Sequence, residues 1–332
     1  MKRKKKAYAS AGVDVDLGNR LKGRIQSLVR QTHGPEVLGR VGGFGGLFRP
    51  NFSGMREPIL VTSVDGVGTK LKIAFALNKH DTVGADLVNH CVNDIAVLGA
   101  RPLFFLDYIG CEKLEPRVFN ELLRGFSRAC KAAGCALIGG ETAQMPGMYR
   151  KGEYDLAGCI VGVVDRTKLI DGSKIKSGDV ILGLASNGLH TNGYSLARKI
   201  LFEKMRLKPG RVGKELLRVH KNYQPLLAKA PIGMIKGLAH ITGGGLIDNL
   251  PRVLPKNCDA VIETKSWRVP RIFEILQQNG GVDPAEMYQV FNMGIGMVAI
   301  VSERDSKRAM SILRAKRIGR IERGTGKTIL VL

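Results

Sequence analysis

The sequence predicts an α+β chain of two domains, on three observations. A length of 332 residues suits one large or two ordinary domains. Helical and strand-like apolar runs mix without strict βαβ alternation, which favours two α+β layers over one doubly wound sheet. A polar, charged stretch from Asp165 to Gly178 divides the chain. The boundaries drawn are a basic, flexible head at 1–12, a first domain at 13–168 and a second at 169–332.

Taken in order, Asp16 is placed to cap a helix running to about Gln31, with Leu17, Leu21, Ile25 and Leu28 on one face. Glycine-rich coil follows. Ile59-Leu60-Val61 reads as a strand leading into Asp65, and Leu71 to Leu77 as a helix. Asp81 is placed to cap the next helix, which runs to about Leu98 and ends at Gly99. Leu103 to Ile109 reads as a strand and Pro116 to Ala133 as an amphipathic helix stopped by Gly134. Ala136 to Ile138 reads as a short buried strand ending in Gly139-Gly140-Glu141-Thr142, and Leu156 to Val164 as another strand. Past the divide, Val180 to Leu184 is a strand, a helix begins near Tyr194, and a looser helical region reaches Ala230. Ala260 to Glu263 and Gly296 to Val301 read as strands, Pro270 to Gln278 and Asp305 to Arg314 as helices, and the C-terminus alternates as strands do.

Composition narrows the function classes. The apolar content suits a globular protein with a proper core. A formal charge of +23, five units of it in Lys2-Arg3-Lys4-Lys5-Lys6, attracts nucleic acid and phosphorylated metabolites alike. No base-reading motif or interleaved aromatic pattern accompanies it, so a solvated basic surface is the better reading and no specific nucleic acid is expected. The basic run has no apolar stretch behind it and is no secretory signal. No apolar run approaches the ~20 residues of a membrane span. The six cysteines are scattered, with no C-x-x-C pair, and read as free thiols in a reducing compartment. The expected location is the cytoplasm.

Several constellations carry chemistry. Thr62-Ser63-Val64-Asp65-Gly66-Val67-Gly68-Thr69-Lys70 puts a carboxylate, glycines, a hydroxyl and an ammonium at a strand-to-helix junction. Backbone N–H groups at a helix start favour anions, and a carboxylate can hold the cation that phosphates bring. The bland alternative is a tight turn with a solvated Lys70. The helix after Asp81 carries Asp86, Asn89, His90, Asn93 and Asp94 on one stripe. A polar stripe is normally the wet face, but one without Lys or Arg, in so basic a protein, argues for a metal or ligand site. Glu141 stands at a strand end, where binding loops gather. Asn187 to Ser195 places His190, a neutral-pH proton carrier, between two asparagines and two glycines. His240-Ile241-Thr242-Gly243-Gly244-Gly245 repeats the phosphate-cradle pattern. Gly324-Thr325-Gly326-Lys327-Thr328 mimics a Walker loop, but Ile321 stands where that pattern needs glycine, so it reads as a turn between terminal strands.

Read in order, these residues resemble a known family. Tyr8-Ala9-Ser10-Ala11-Gly12-Val13-Asp14, Asp65 to Lys70, Asn93-Asp94, Gly139-Gly140-Glu141-Thr142-Ala143 and Met145-Pro146-Gly147-Met148-Tyr149 are followed by His190 to Ser195, His240 to Gly245 and Phe291-Asn292-Met293-Gly294-Ile295-Gly296. Together they are similar to phosphoribosylformylglycinamidine cyclo-ligase, also called aminoimidazole ribonucleotide synthetase. The resemblance implies an N-terminal α/β domain that pairs in a homodimer, a C-terminal α+β domain, and a cleft between them. It implies ATP-dependent closure of formylglycinamidine ribonucleotide to aminoimidazole ribonucleotide through an imidoyl phosphate, with Mg²⁺.

On that basis Asp65, Asp94 and Glu141 are assigned to Mg²⁺. Gly68, Thr69, Lys70 and the Gly43, Gly45, Gly46 segment are assigned to nucleotide phosphates. Asn192, Gly243, Gly244 and Gly245 are assigned to substrate, and His190 with Asp94 to catalysis. The chain departs from the family in having Gln144 where a Glu is usual. It also has Val219-His220-Lys221-Asn222-Tyr223 near the place of a Pro-Thr-Arg-Ile-Tyr segment, whose contribution to the cleft is expected to be either altered or supplied by Lys221. The rival readings are another ATP-using enzyme of the same superfamily, or a basic nucleic-acid-binding protein on that scaffold.

Overall fold

The computed structural model describes residues 7–39 and 42–332. The Lys2 to Lys6 run lies outside the described residues, as does the side chain of Ile25. The N-terminal half contains α1 (Ala7–Ser10), α2 (Val15–Arg30), β1 (Val37–Leu38), β2 (Leu47–Phe48), β3 (Pro58–Gly66), α3 (Leu71–Leu77) and α4 (Val83–Ala96). It continues through β4 (Arg101–Cys111), α5 (Pro116–Ala133), β5 (Ala136–Gln144) and β6 (Tyr154–Asp165). Asp14 caps α2, accepting from Leu17 N at 2.9 Å, so Asp16 sits in the first turn instead. Asp81 does not cap α4; Thr82 holds the N-cap place, and the Asp81 carboxylate pairs with Lys79 at 2.9 Å.

The first sheet runs β3-β6-β4-β5, with β6 antiparallel to both neighbours and β4 parallel to β5. Helices α4 and α5 cover one face. They cross in backbone contact, because a Cβ on Gly84 would lie 2.5 Å from Leu122 O and one on Gly125 3.1 Å from Asp81 O. The other face is open along β3, where Leu60 and Val64 are 62% and 69% exposed. β5 outruns its predicted end at Ile138: pairing with β4 carries it through Gly139, Gly140 and Glu141 to Gln144.

The C-terminal half contains β7 (Val180–Ala185), α6 (Tyr194–Arg198), α7 (Pro209–Leu216), α8 (Gln224–Leu227), β8 (Ile235–His240), α9 (Gly245–Asn249) and β9 (Cys258–Glu263). Then come α10 (Arg271–Gly280), α11 (Pro284–Val290), β10 (Ile295–Val301), α12 (Ser306–Leu313), β11 (Lys316–Arg323) and β12 (Thr328–Val331). Its sheet runs β12-β9-β11-β7-β10-β8. Strand β8 and helix α11 carry no clear periodic signal and are additions to the sequence reading. The Walker-like segment is the turn between β11 and β12, held by Asp259, which accepts from Thr325 N at 2.7 Å and Lys327 N at 2.8 Å. All six cysteines are free.

β7 and β8 end, and β10 begins, at the same edge of this sheet, since β10 is antiparallel to both. The loops carrying His190 to Asn192, Thr242 to Gly244 and Phe291 to Gly294 therefore gather there. That edge meets α3 and α4, and one apolar cluster runs unbroken through both halves, from Leu21 to Ile321.

Asp165 ties the end of β6 to the segment before β3. Its carboxylate accepts from Arg56 N at 2.6 Å, Thr167 N at 2.9 Å and Thr167 Oγ1 at 2.6 Å. Those donors hold its pKa at about 2. An ordinary carboxylate titrates at about 4. Asp165 thus contributes stability above that ordinary value and loses it as pH falls through its folded pKa. Asp165→Asn is expected to lower the urea midpoint at neutral pH and to flatten its decline between about pH 4 and pH 2.

Candidate active site

Sequence spacing builds one wall of the site. Ser63 and Asp65, two apart on β3, point to one face of the strand. His90 and Asp94, four apart on α4, point to one face of the helix. The two faces meet: Asp65 Oδ2 lies 2.8 Å from His90 Nε2, and Ser63 Oγ donates to Asp94 Oδ2 at 3.0 Å. His90 Nε2 also lies 3.7 Å from Asp94 Oδ2.

The C-terminal half supplies the opposite wall. His240, the last residue of β8, has Nδ1 2.8 Å from Asp94 Oδ1. Its Nε2 lies 2.9 Å from His220 Nε2. Thr191 Oγ1 lies 2.8 Å from His90 Nδ1 and 3.1 Å from His220 Nδ1. A continuous chain of contacts thus runs from Asp65 through His90, Thr191, His220 and His240 to Asp94. The imidazoles are buried, while Asp65 and Asp94 keep side-chain exposures of 41% and 24%.

Electrostatics divide these groups. Burial works against ionisation of Asp65, but the bond and charge of His90 outweigh it and lower its pKa. Burial likewise works against Asp94, and His240 outweighs it. For His90 burial lowers the pKa, yet the bond to Asp65 and the charge of Asp94 raise it overall. Burial prevails at His240, despite Asp94. It prevails further at His220, pushed well below the usual histidine range by burial and the neighbouring His190.

Three assigned roles are corrected by this geometry. Lys70 is fully buried, and its ammonium donates to Asp86 Oδ1 at 2.8 Å, His190 O at 3.0 Å and Arg218 O at 2.7 Å. An ammonium has three protons, so none is left for a nucleotide phosphate. Burial pulls Lys70 down and Asp86 up, each opposed by the other's charge. His190 is buried at φ 62° and stacked on His220 with ring centroids 4.1 Å apart. Burial pushes it well below the usual range, and neither ring nitrogen has a hydrogen-bond partner, so nothing in this arrangement passes it a proton. Glu141 pairs in register with Tyr108, one position beyond Gly140, where a Cβ would strike the Asp107 carboxylate. Glu141 therefore points to the face opposite Asp65 and Asp94 and does not join them.

The polar stripe of α4 proves to be two things. Asp86, Asn89 and Asn93 bind the backbone of the segment that departs from the family pattern. Asp86 Oδ1 accepts from His220 N at 2.7 Å, and Asn89 Nδ2 donates to His220 O at 2.7 Å. Asn93 donates to Lys221 O at 2.8 Å and accepts from Tyr223 N at 2.9 Å. Only His90 and Asp94 face the cleft chemistry. Lys221 donates to Ala185 O at 3.0 Å, capping the end of β7.

The remaining assigned residues border the cleft unevenly. Gly68, at φ 67°, and Thr69 are exposed, and Thr69 Oγ1 lies 3.0 Å from Ser195 Oγ across the two halves. Asn192 and Gly243 are neighbours, since a Cβ on Gly243 would lie 3.4 Å from Asn192 Oδ1. Gly244 is half-buried, but Gly245 is buried, with no room for a Cβ beside Tyr288 O. Gly245 therefore packs against the backbone of α11. Gly43 and Gly45 are exposed on the loop between β1 and β2, and Gly46 packs against Ile138, beside the Gly139-Gly140 pair.

Two residues escaped the sequence reading. His220 was visible only as part of the atypical segment. Asp107 was hidden as a lone carboxylate in the apolar run of β4. It lies level with Asp65 across Gly158, and burial, aided by Glu141, raises its pKa to about 7.

Two family models match the two halves of the chain. Residues 55–164 match the family model described as AIR synthase related protein, N-terminal domain, and residues 176–331 match its C-terminal counterpart. The chain is 54% identical over 316 residues to phosphoribosylformylglycinamidine cyclo-ligase of Syntrophotalea carbinolica, covering 92% of this chain and 90% of that one. It is 49% identical over 336 residues to the protein of that name from Bacillus thuringiensis subsp. konkukian, covering 97% of each. Among solved structures, hydrogenase maturation protein HypE in complex with ATP superposes with a TM-score of 0.68 at 19% identity, over 94% of this chain and 90% of that one. Thiamine-monophosphate kinase from Stenotrophomonas maltophilia gives 0.66 at 17% identity, over 93% and 94%. These two likenesses establish the fold.

The reassignment of Lys70 is open to a direct check. Lys70→Met strands Asp86 in the interior and is expected to cost about 3–5 kcal/mol of stability by chemical denaturation. A phosphate-binding lysine would instead lose ATP affinity with stability unchanged.

Proposed function

Since the chain belongs to the phosphoribosylformylglycinamidine cyclo-ligase family, we propose that its cleft closes formylglycinamidine ribonucleotide to aminoimidazole ribonucleotide, the ring-forming step of purine biosynthesis, at the expense of ATP. The observation that carries this reading is the meeting of Asp65 and Asp94, two partly exposed carboxylates, between walls contributed by both halves of the chain.

The reaction balances in two stages. The formyl oxygen attacks the γ-phosphorus of ATP, the bond to ADP breaks, and an imidoyl phosphate forms. A substrate amidine nitrogen then attacks the former formyl carbon, the carbon–oxygen bond breaks, and phosphate departs with loss of a proton. Phosphoryl transfer asks the protein chiefly for positioning and for charge placed where charge develops. Gly68 and Thr69 offer backbone and hydroxyl donors on the N-terminal side, and Gly43 and Gly45 remain proposed phosphate contacts. Asn192 and Gly243, adjacent on the C-terminal side, are the proposed substrate contacts, with Gly244 behind them. Ring closure then needs little beyond orientation, because phosphorylation has already made the leaving group.

Mg²⁺ accompanying ATP neutralises phosphate oxygens, and a site of one or two carboxylates plus phosphate suits it. Asp65 and Asp94 fit that requirement, ionised and facing the cleft, and are the residues proposed to hold it. His90 and His240 hold those carboxylates in place. The division at residues 168 and 169 is kept as the domain boundary, and the cytoplasm as the proposed location.

The homodimer is assigned to the open face of β3. An apolar strand face left exposed invites a partner, and a two-fold axis would set the same face of a second copy against it. Leu60→Asp together with Val64→Lys is expected to yield monomers by analytical ultracentrifugation.

The deciding assay measures phosphate release from ATP and Mg²⁺ with and without formylglycinamidine ribonucleotide. Stimulation by the substrate, with aminoimidazole product, is the expected result; unstimulated or absent release overturns the reading. Asp94→Asn is expected to lower turnover by about 10²-fold or more while circular dichroism stays native.

A further inference from the structure

We propose that the cavity between the end of α3, the start of α5 and the turn before β6 is a second ligand site, for a nucleoside monophosphate with an amino-bearing base. Its volume is about 360 Å³, and none of the residues assigned to the cleft lines it. The inference goes beyond the cyclisation reading and does not rest on it.

Volume and lining set the class of ligand. Small-molecule sites are cavities of about 300–1,000 Å³, mostly apolar, with a few placed polar groups. Here Ile109, Leu114, Phe119 and Leu122 make a buried apolar floor. Phe75 and Tyr154 meet edge to face, with ring centroids 4.8 Å apart. Aromatic walls of this kind suit a flat ring laid beside them.

The polar end has a defined hydrogen-bond sense. Arg117 donates to Asn78 Oδ1, which settles the orientation of that amide. The same oxygen lies 3.3 Å from His80 Nε2. A carbonyl oxygen only accepts, so Nε2 carries the proton. Burial holds His80 below the usual histidine range, so the ring is neutral and Nδ1 accepts. Its partner is the Tyr154 hydroxyl, at 2.9 Å. Burial pushes Tyr154 above the usual range of a phenol, so the hydroxyl keeps its proton and donates it to Nδ1. The Tyr154 oxygen then has lone pairs to spare and no proton left to give. That wall calls for a donor on the ligand, an amino group or a ring N–H.

The mouth is charged. Lys113 and Lys151 are exposed on it, and neither pairs with a carboxylate among the described residues. Glu115 is there too, while Glu153 is held by Lys72 at 2.7 Å. The balance is positive and favours an anion at the outer end. A flat ring with an N–H donor inside and an anion outside is the chemistry of such a nucleotide.

The experiment titrates adenosine 5′-monophosphate into the full-length protein by calorimetry, without ATP or substrate. One equivalent per chain is expected, with a Kd of about 100 μM or tighter. Adenosine and ribose 5-phosphate should each bind at least about tenfold more weakly, since each lacks half of the recognised chemistry. Lys113→Glu together with Lys151→Glu should weaken the nucleotide by about tenfold or more. Val118→Trp, which fills the cavity, should abolish binding, and Asp94→Asn should leave it unchanged. Near-ultraviolet circular dichroism identifies any variant that fails to fold, and the remaining variants then carry the comparison. A Kd weaker than about 1 mM, or binding unaltered in the folded Lys and Val118 variants, would overturn the site. Loss of binding in Asp94→Asn would overturn it too, by assigning the nucleotide to the cleft. Ribose 5-phosphate bound as tightly as the nucleotide would do the same, leaving a phosphate contact only. Substrate-stimulated phosphate release is scored separately, so failure of the cyclisation reading and failure of this site are told apart.

Discussion

The buried ion pair between Lys70 and Asp86 is the contact on which the cleft depends. Lys70 enters from the turn before α3, Asp86 from α4, and the ammonium also takes the carbonyls of His190 and Arg218 from the C-terminal half. Bringing an ammonium and a carboxylate out of water is expensive, and only near-complete hydrogen bonding repays it. That requirement makes the junction specific. A shift of one half against the other would leave a charge or a carbonyl unsatisfied in an apolar interior.

The pair works with a second set of contacts on the same helix. Asp86, Asn89 and Asn93 grip the backbone from His220 to Tyr223, so α4 holds the C-terminal half by main-chain hydrogen bonds. This fixes His220, which in turn faces His240 and Thr191. The next residues along α4, His90 and Asp94, are thereby presented to partners from both halves. One helix thus does structural work on one flank and offers reactive groups on the other. Its lack of Lys and Arg follows from the first task as much as from the second.

Much of this was legible in the residues. The helix from Pro116 to Ala133 and the one from Leu71 to Leu77 appear with the predicted limits, because strong periodicity and clear stop signals coincide. Asp94 was visible on a helix stripe without Lys or Arg, and Asp65 as a carboxylate at a glycine-rich strand-to-helix junction; Asn192 and Gly243 lie side by side. Lys70 was misread because a lysine at a helix start normally snorkels to water; nothing local shows that three acceptors wait for it inside. His190 was misread for the opposite reason: its polar loop is enclosed by the other half of the chain. Glu141 was misplaced because β5 runs longer than its apolar stretch, and a strand sends each successive residue to the other face.

What the sequence determined alone was the set of local choices: where helices begin and stop, which strand faces are apolar, and which motifs mark the family. Those depend on neighbours within a few positions, so they survive without the fold. What only tertiary structure decided was which polar residue meets which. Asp65 and Asp94 reach His90 and His240 because a strand, a helix and the end of a distant strand converge. His220 joins them through backbone contacts more than a hundred residues apart in sequence. Burial, and with it the ionisation of each group, is set by that convergence, since desolvation depends on what surrounds a side chain in space.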